Sequence, residues 1–187
     1  STAGQGSSLC SRTWDFGPYF EALDAHPKLG VCLDTCHVFA AGHDLTGQDG
    51  MRRTLDLLVD TVGEGRLKLI HANDSLDVVG AHRDRHANIG AGHIGEDPFR
   101  ALMRHPATEG VPLVIETPGG VRIATDFSGV YGADPLPRVV TMNKAHRTHY
   151  TEMPDPGIEH ILRGWNPEGG PARHALVVDD VYIRNVP

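Results

Sequence analysis

Three short apolar segments of this chain each end on a side chain that can bind a metal ion. They span residues 29–33, 67–70 and 111–115, and they lead into Asp34, His71 and Glu116. Short apolar runs bounded by glycine, proline or polar residues are typical of buried parallel strands. The pattern predicts a sheet whose strand ends carry candidate ligands.

Helical segments alternate with these predicted strands. Apolar residues recur at helical spacing from Trp14 to Leu23, from Leu55 to Val62 and from Phe99 to Met103, and glycine, proline or capping residues bound each segment. Alternating units of this kind build a parallel sheet, and a (β/α)₈ barrel gathers its active-site residues at the carboxyl ends of its strands. The predicted fold class is therefore α/β.

Acid-and-histidine clusters mark the same strand ends and one loop. The chain reads Asp34-Thr35-Cys36-His37, then His71-Ala72-Asn73-Asp74, then Asp84-Arg85-His86. Residues three apart point to opposite faces of a strand, so the chain should turn after Asp34 to bring His37 to the same side. Residues two apart, such as Asp84 and His86, share a face of an extended segment.

Neutral imidazoles and carboxylates are ligands of zinc and manganese. Several of them together predict a multinuclear metal site, and two or three divalent cations suit hydrolysis, with phosphodiester cleavage as the natural use. The candidate metal ligands are Asp34, His37, His71, Asp84, His86 and Glu116.

Each candidate also has a reading without a metal. Asp34 could cap the following turn, and His71 could be a half-buried core histidine. The segment from Asp84 to His86 could be a solvated loop, and Glu116 could pair with an arginine. Their joint occurrence favours ligation. The glycines from 90 to 95 lack the preceding strand and the lysine of a P-loop, so a tight ligand-bearing turn is the better interpretation.

Composition limits the remaining function classes. The 187 residues are 40% hydrophobic and can bury one core, and the net charge of −7 argues against a protein that holds nucleic acid by a basic surface. It does not argue against a protein in which metal ions supply the positive charge. The sequence lacks a membrane span and a signal peptide, which predicts a cytoplasmic protein. The three cysteines are expected to be reduced thiols, and the spacing of Cys32 and Cys36 does not fit a zinc knuckle.

Several segments resemble the endonuclease IV family, zinc-dependent apurinic/apyrimidinic endonucleases of base-excision repair. The matching segments are residues 2–6, 30–37, 71–74, 84–86, 89–95 and 113–117. The resemblance covers residues 1–120 and implies the C-terminal part of a TIM barrel, with its last three strands and their helices. Residues 121–187 resemble nothing recognisable. This Pro- and Gly-rich tail reads as loops with one strand at Ala175 to Val178.

The resemblance also implies roles for single residues. In the family, residues matching His37, Asp84 and His86 hold a third zinc, and residues matching Asp34, His71 and Glu116 hold a second. The other ligands are two histidines from earlier strands and a bridging glutamate, whose position immediately precedes Ser1. The family uses three zinc ions, and at most two are expected here. Arg85, between two ligands, is a candidate for contact with a DNA phosphate.

Three functions follow as hypotheses. The first is a DNA-repair phosphodiesterase, or a piece of one, that cuts DNA 5′ to abasic sites with zinc-activated water. The second is a metal-dependent sugar isomerase or epimerase of the xylose isomerase group, which shares the barrel and the ligand types. The third is a non-catalytic remnant. Three strands cannot close an eight-stranded barrel, so the chain is expected to be a fragment lacking an N-terminal half or to self-associate.

Overall fold

The computed structural model of the chain divides into two compact units, Ser1–Val111 and Pro112–Pro187. It describes residues 1–125, 127, 136–144, 150–179 and 181–184, except the side chain of Gln48. The division places the strand that ends at Glu116 in the second unit. The boundary after Gly120, drawn from the sequence, stays a prediction.

The first unit contains every strand and helix expected before residue 111. Its helices are α1 (Gly17–Ala22), α2 (Thr35–Ala40), α3 (Gly47–Val62) and α4 (Glu96–Leu102), and its strands are β1 (Val31–Asp34), β2 (Leu67–His71), β3 (Asp74–Ser75) and β4 (His86–Ala87). Strands β1 and β2 are parallel, and Asp34 lies opposite His71 in their register. The predicted turn after Asp34 is helix α2. The two candidate ligands at these strand ends are therefore neighbours.

The first predicted helix forms, but it buries less than its apolar spacing suggests. A 3₁₀ turn, Thr13–Phe16, precedes α1, and of the apolar residues that set the period Phe20 is buried. Trp14, Tyr19 and Leu23 are 49%, 41% and 53% exposed. Helical spacing here identified the conformation correctly and the buried face incorrectly.

Helix α3 provides much of the core of the first unit. Met51, Leu55 and Leu58 are almost fully buried along one side of the helix. The helix begins eight residues before Leu55, which is earlier than the sequence predicts, because its first four residues, 47–50, are glycine or polar. It ends at Gly63, whose φ of 92° is open to glycine and costly for other residues.

Two adjacent leucines of α3 provide a test of this packing. Leu58 is 1% exposed and Leu57 is 36% exposed. We expect Leu58→Ala to lower the free energy of unfolding of the first unit by about 2–5 kcal/mol, because it removes buried surface and leaves a cavity. Leu57→Ala should cost about 1 kcal/mol or less. Urea unfolding followed by circular dichroism measures both, and equal losses would contradict the assigned faces of the helix.

The second unit contains more strand than the sequence predicts. Its described strands are β5 (Leu113–Glu116), β6 (Arg122–Thr125), β7 (Val139–Met142), β8 (His160–Arg163), β9 (Ala175–Val178) and β10 (Val181–Arg184). The predicted strand at 175–178 is confirmed, and four further strands lie after Gly120. Each is four residues long, which is too short for a clear alternation of apolar and polar residues.

The strand that ends at Glu116 turns back on itself. Strands β5 and β6 are antiparallel and place Arg122 opposite Glu116. Strands β6, β7 and β8 are then parallel in that order, and β9 and β10 form an antiparallel pair. Val121, Val139 and Val178 pack into one apolar cluster of this unit.

Among the described residues, no helix has both the length and the apolar character that a membrane span requires.

Candidate metal centre

Two histidine rings converge on one carboxylate in the first unit. His37 Nε2 lies 2.9 Å from Asp84 Oδ2, and His86 Nε2 lies 3.1 Å from Asp84 Oδ1. The side chains of His37 and His86 are 21% and 18% exposed, and that of Asp84 is 40% exposed. The structure therefore brings together three of the residues that the sequence pattern picks out as ligands.

Local structure explains how the residues meet. The Asp34 carboxylate caps α2 by accepting a hydrogen bond of 3.1 Å from the backbone N–H of His37, which places His37 in the first helical turn. Strand β4 holds His86 in extended backbone, so Asp84, two residues earlier, lies on the same face. The alternative interpretation of Asp34 as a helix cap is therefore correct. The same hydrogen bond directs His37 toward the cluster.

The donor set fits a divalent cation such as zinc. Tetrahedral zinc with bonds of about 2.0–2.1 Å separates its donor atoms by roughly 3.3 Å. Each imidazole nitrogen lies near that distance from one oxygen of Asp84, His37 at 2.9 Å from Oδ2 and His86 at 3.1 Å from Oδ1. The other ring nitrogen of His37, Nδ1, lies 3.0 Å from the carbonyl oxygen of Ser1. A hydrogen bond from Nδ1–H to that oxygen leaves Nε2 with its lone pair facing the cluster, as metal-binding histidines require.

A second pair of candidate ligands adjoins the first group. His71 Nδ1 is 3.6 Å from Asp34 Oδ2, and Asp34 is 3% exposed. Interaction with the Asp34 carboxylate, and then with Cys32, raises the pKa of His71 to about 10. Burial opposes ionisation of Asp34, but His71 and His37 together lower the pKa of Asp34 below its ordinary value. A metal ion that binds His71 must therefore displace a proton.

Asn73 joins the two groups and is not identified by the sequence pattern. Its buried side-chain amide donates to Asp34 Oδ2 at 3.1 Å, and the same nitrogen lies 3.4 Å from His86 Nε2. Thr35 fixes the Asn73 backbone, since its hydroxyl donates to the Asn73 carbonyl at 2.7 Å and accepts from the Asn73 N–H at 2.9 Å. The signal available was its place in the His71-Ala72-Asn73-Asp74 block, two residues after the end of β2.

Asp74 is the second residue that the pattern leaves without a role. It is fully buried, and its carboxylate accepts hydrogen bonds from backbone N–H groups of the loop at residues 90–95. This loop is the predicted tight turn, and two residues separate it from the end of β4.

Cys36 lies beside the cluster, with its sulfur 4.0 Å from Asp84 Oδ1. Cys36, Asp84 and His86 form one of two close ligand groups found in the described residues, and Asp34, His37 and His86 form the other. Burial, and then the charge of Asp34, raises the pKa of Cys36 to about 12. The thiol is therefore protonated and a poor ligand beside the imidazoles.

Arg85 is engaged with a buried acid. Its Nε and Nη2 donate to the two oxygens of Asp77 at 2.7 and 2.5 Å, and Arg83 approaches the same carboxylate at 3.1 Å. The Arg85 side chain is still 53% exposed. Its role in binding nucleic acid stays a prediction.

Glu116 has a partner within the second unit. The Arg122 guanidinium donates to Glu116 Oε2 from Nε at 3.0 Å and from Nη2 at 2.7 Å. This matches the alternative reading in which Glu116 pairs with an arginine, and it follows from the antiparallel register of β5 and β6. A role for Glu116 as a metal ligand stays a prediction.

Each of the two parts of the chain matches a different protein family. Residues 1–131 match the family described as xylose isomerase-like TIM barrel, and residues 111–187 match the β-lactamase superfamily domain. The second match begins within one residue of the second unit. The stretch unassigned from sequence is therefore similar to a different domain.

Individual relatives point to one branch of the barrel family. The probable endonuclease 4 of Streptomyces avermitilis is 90% identical over 120 residues, which are 64% of this chain and 39% of that protein. The probable endonuclease 4 of Streptomyces coelicolor is 89% identical over 120 residues, 64% of this chain and 41% of that protein. The chain thus spans about two-fifths of the length of these relatives.

A solved structure supports the same placement. The crystal structure of endonuclease IV from Thermus thermophilus matches with a TM-score of 0.54 and 35% identity, covering 63% of this chain and 41% of that one. The predicted fold class, a partial TIM barrel, is confirmed. Because the barrel match covers well over half of its residues, the chain belongs to the xylose isomerase-like TIM barrels, and within them to the endonuclease IV family.

Proposed function

We propose that this chain carries the zinc-binding part of a DNA-repair endonuclease that hydrolyses the DNA backbone 5′ to abasic sites. The observation that carries the proposal is the convergence of His37 and His86 on the two oxygens of Asp84. Relatives named endonuclease 4 support the choice of DNA as substrate.

The residues would divide the work in two groups. His37, Asp84 and His86 would hold one ion, and Asp34 and His71 are the candidates for a second. At most two zinc ions are expected on this chain. Zinc held there would supply a Lewis acid for a phosphate oxygen and a nucleophilic water near neutral pH. The hydrogen bond from Asn73 to Asp34 would keep the two groups at a constant separation.

Arg85 is proposed to contact the DNA backbone. A guanidinium has five N–H donors, and the contacts with Asp77 Oδ1 and Oδ2 use two of them. The remaining donors of a half-exposed side chain are free to reach a phosphate oxygen, while Asp77 holds the plane of the group. Such a contact positions the duplex without reading its sequence.

The test of the function is an exchange of segments. In the Streptomyces coelicolor relative, the 120 matching residues are replaced by those of this chain. We expect the zinc-loaded chimera to incise a duplex with one abasic site within about tenfold of the parent rate, and His86→Ala in the chimera to lower that rate at least about 10²-fold. An inactive chimera that is folded and loaded with zinc would contradict the proposal.

Two further measurements complete this test. The 187-residue chain by itself corresponds to about two-fifths of the Streptomyces coelicolor relative, so it carries only part of the structure that places the reacting groups. It should incise at least about 10²-fold more slowly than the chimera, because errors of about 1 Å in the placement of reacting groups have effects of that size. Turnover of a ketose by the zinc-loaded chain, without incision by the chimera, would favour the isomerase or epimerase alternative.

A further inference from the structure

Asp74 is surrounded by main-chain amides. Its side chain is fully buried, and all its partners among the described residues are backbone N–H groups. Ser75 N and Ile94 N donate to Oδ1, each at 2.8 Å. The donors to Oδ2, at 3.0, 3.1 and 3.2 Å, are the N–H groups of Gly90, Gly92 and Gly95.

The loop that Asp74 holds is tied to the candidate ligands. Strand β3 pairs with β4, with Ser75 opposite His86. Leu76 N donates to the Arg85 carbonyl at 2.9 Å, and His93 N donates to the Ser75 carbonyl at 2.8 Å. The segment that carries His86 is thus flanked by β3 on one side and continues into the anchored loop on the other.

We propose that Asp74 is a positioning residue for His86, an inference that rests on the proposed zinc site. By closing the loop at residues 90–95 onto β3, the Asp74 carboxylate fixes the backbone of β4 and so the direction in which the His86 ring faces Asp84. Outer partners of this kind typically change metal affinity by about 10- to 100-fold when they are replaced.

A carboxylate is required at this position for a chemical reason. Ionised, it has only acceptor sites, about four in number, and five N–H groups point at it. The side-chain amide of asparagine has the same shape, but its NH₂ group would face N–H donors, which leaves buried donors unpaired. Asp74→Asn therefore removes the anchor with little change of volume.

The test compares Asp74→Asn with the wild-type chain and with Leu58→Ala. We expect Asp74→Asn to lower zinc affinity, measured against a chromophoric chelator, by about 10- to 100-fold. In the metal-free protein it should speed hydrogen exchange at Gly90, Gly92 and Ile94 and shift the imidazole ¹H–¹⁵N resonances of His86. Leu58→Ala, which loses stability through a remote cavity, should leave zinc affinity and the His86 resonances unchanged.

The outcomes separate this inference from the proposed function. Suppose the wild-type chain binds zinc, the Asp74→Asn variant binds it equally tightly, and the His86 resonances of the variant are unshifted. This result would overturn the positioning role of Asp74 and leave the proposed function standing. An equal loss of zinc affinity in Leu58→Ala would reduce Asp74 to a general contributor to stability and also overturn it. If the wild-type chain binds no zinc, the proposed function fails. The His86 resonances of metal-free Asp74→Asn then still decide whether Asp74 positions this ring.

Discussion

Asp84→Asn is expected to lower the zinc affinity of the His37, Asp84 and His86 group by more than about 10²-fold. Both rings direct Nε2 at this carboxylate, at 2.9 and 3.1 Å, so it is the central member of the group. A neutral amide oxygen is a much weaker zinc ligand than a carboxylate, and loss of one of three protein ligands opens the site. Competition with a chromophoric chelator measures the change.

A control for Asp84→Asn with the same change of charge is available on α4. The Asp97 side chain is 88% exposed, and Asp97→Asn should leave zinc affinity as it is. Undiminished affinity in Asp84→Asn would assign the ion instead to Asp34, His37 and His86, whose donor atoms lie within 4.8 Å of one another.

Gly92→Ala is expected to have the second large effect. A Cβ at this position would lie 2.4 Å from Asp74 Oδ1 and 2.5 Å from the Ser75 carbonyl oxygen, both of which are buried and hydrogen-bonded. The loop must move away from Asp74 to admit the methyl group. We expect a loss of about 1–3 kcal/mol in the free energy of unfolding, as for other overpacked sites. Zinc affinity should fall to a similar degree as in Asp74→Asn.

Gly80→Ala is a control that introduces backbone strain without a steric clash of the added methyl group. Gly80 has a φ of 73°, and nothing lies within 4 Å of its added Cβ. This variant should lose about 1–2 kcal/mol from the left-handed backbone and keep its zinc affinity. If urea unfolding and zinc titration show the same pattern for both glycine variants, the close approach of Gly92 to Asp74 does not control the site.

The strand-end ligands of the first unit are predictable from sequence because strand ends are local features. An apolar run followed by Asp34 or His71 is visible within a few residues, and parallel pairing then places both ends together. The cap at Asp34 is equally local, since its partner is three residues away.

Residues whose partners are distant in sequence are not predictable in this way. Four of the five donors to Asp74 lie 16 to 21 residues later, and Asn73 reaches Asp34 across 39 residues. The residues next to Asp74 and Asn73 in the sequence give no indication of these distant partners. The exposure of Trp14 and Tyr19 has the same origin, because the spacing of apolar residues specifies a helix face but not whether another element covers it.

The cap at Asp34 has a consequence for how an ion enters. One oxygen of this carboxylate is held by the His37 amide and the other by Asn73, so its orientation is already set in the metal-free protein. Binding then restricts few additional rotamers, and little conformational entropy is lost when the ion arrives. The orientation of this candidate ligand is therefore set when the chain folds.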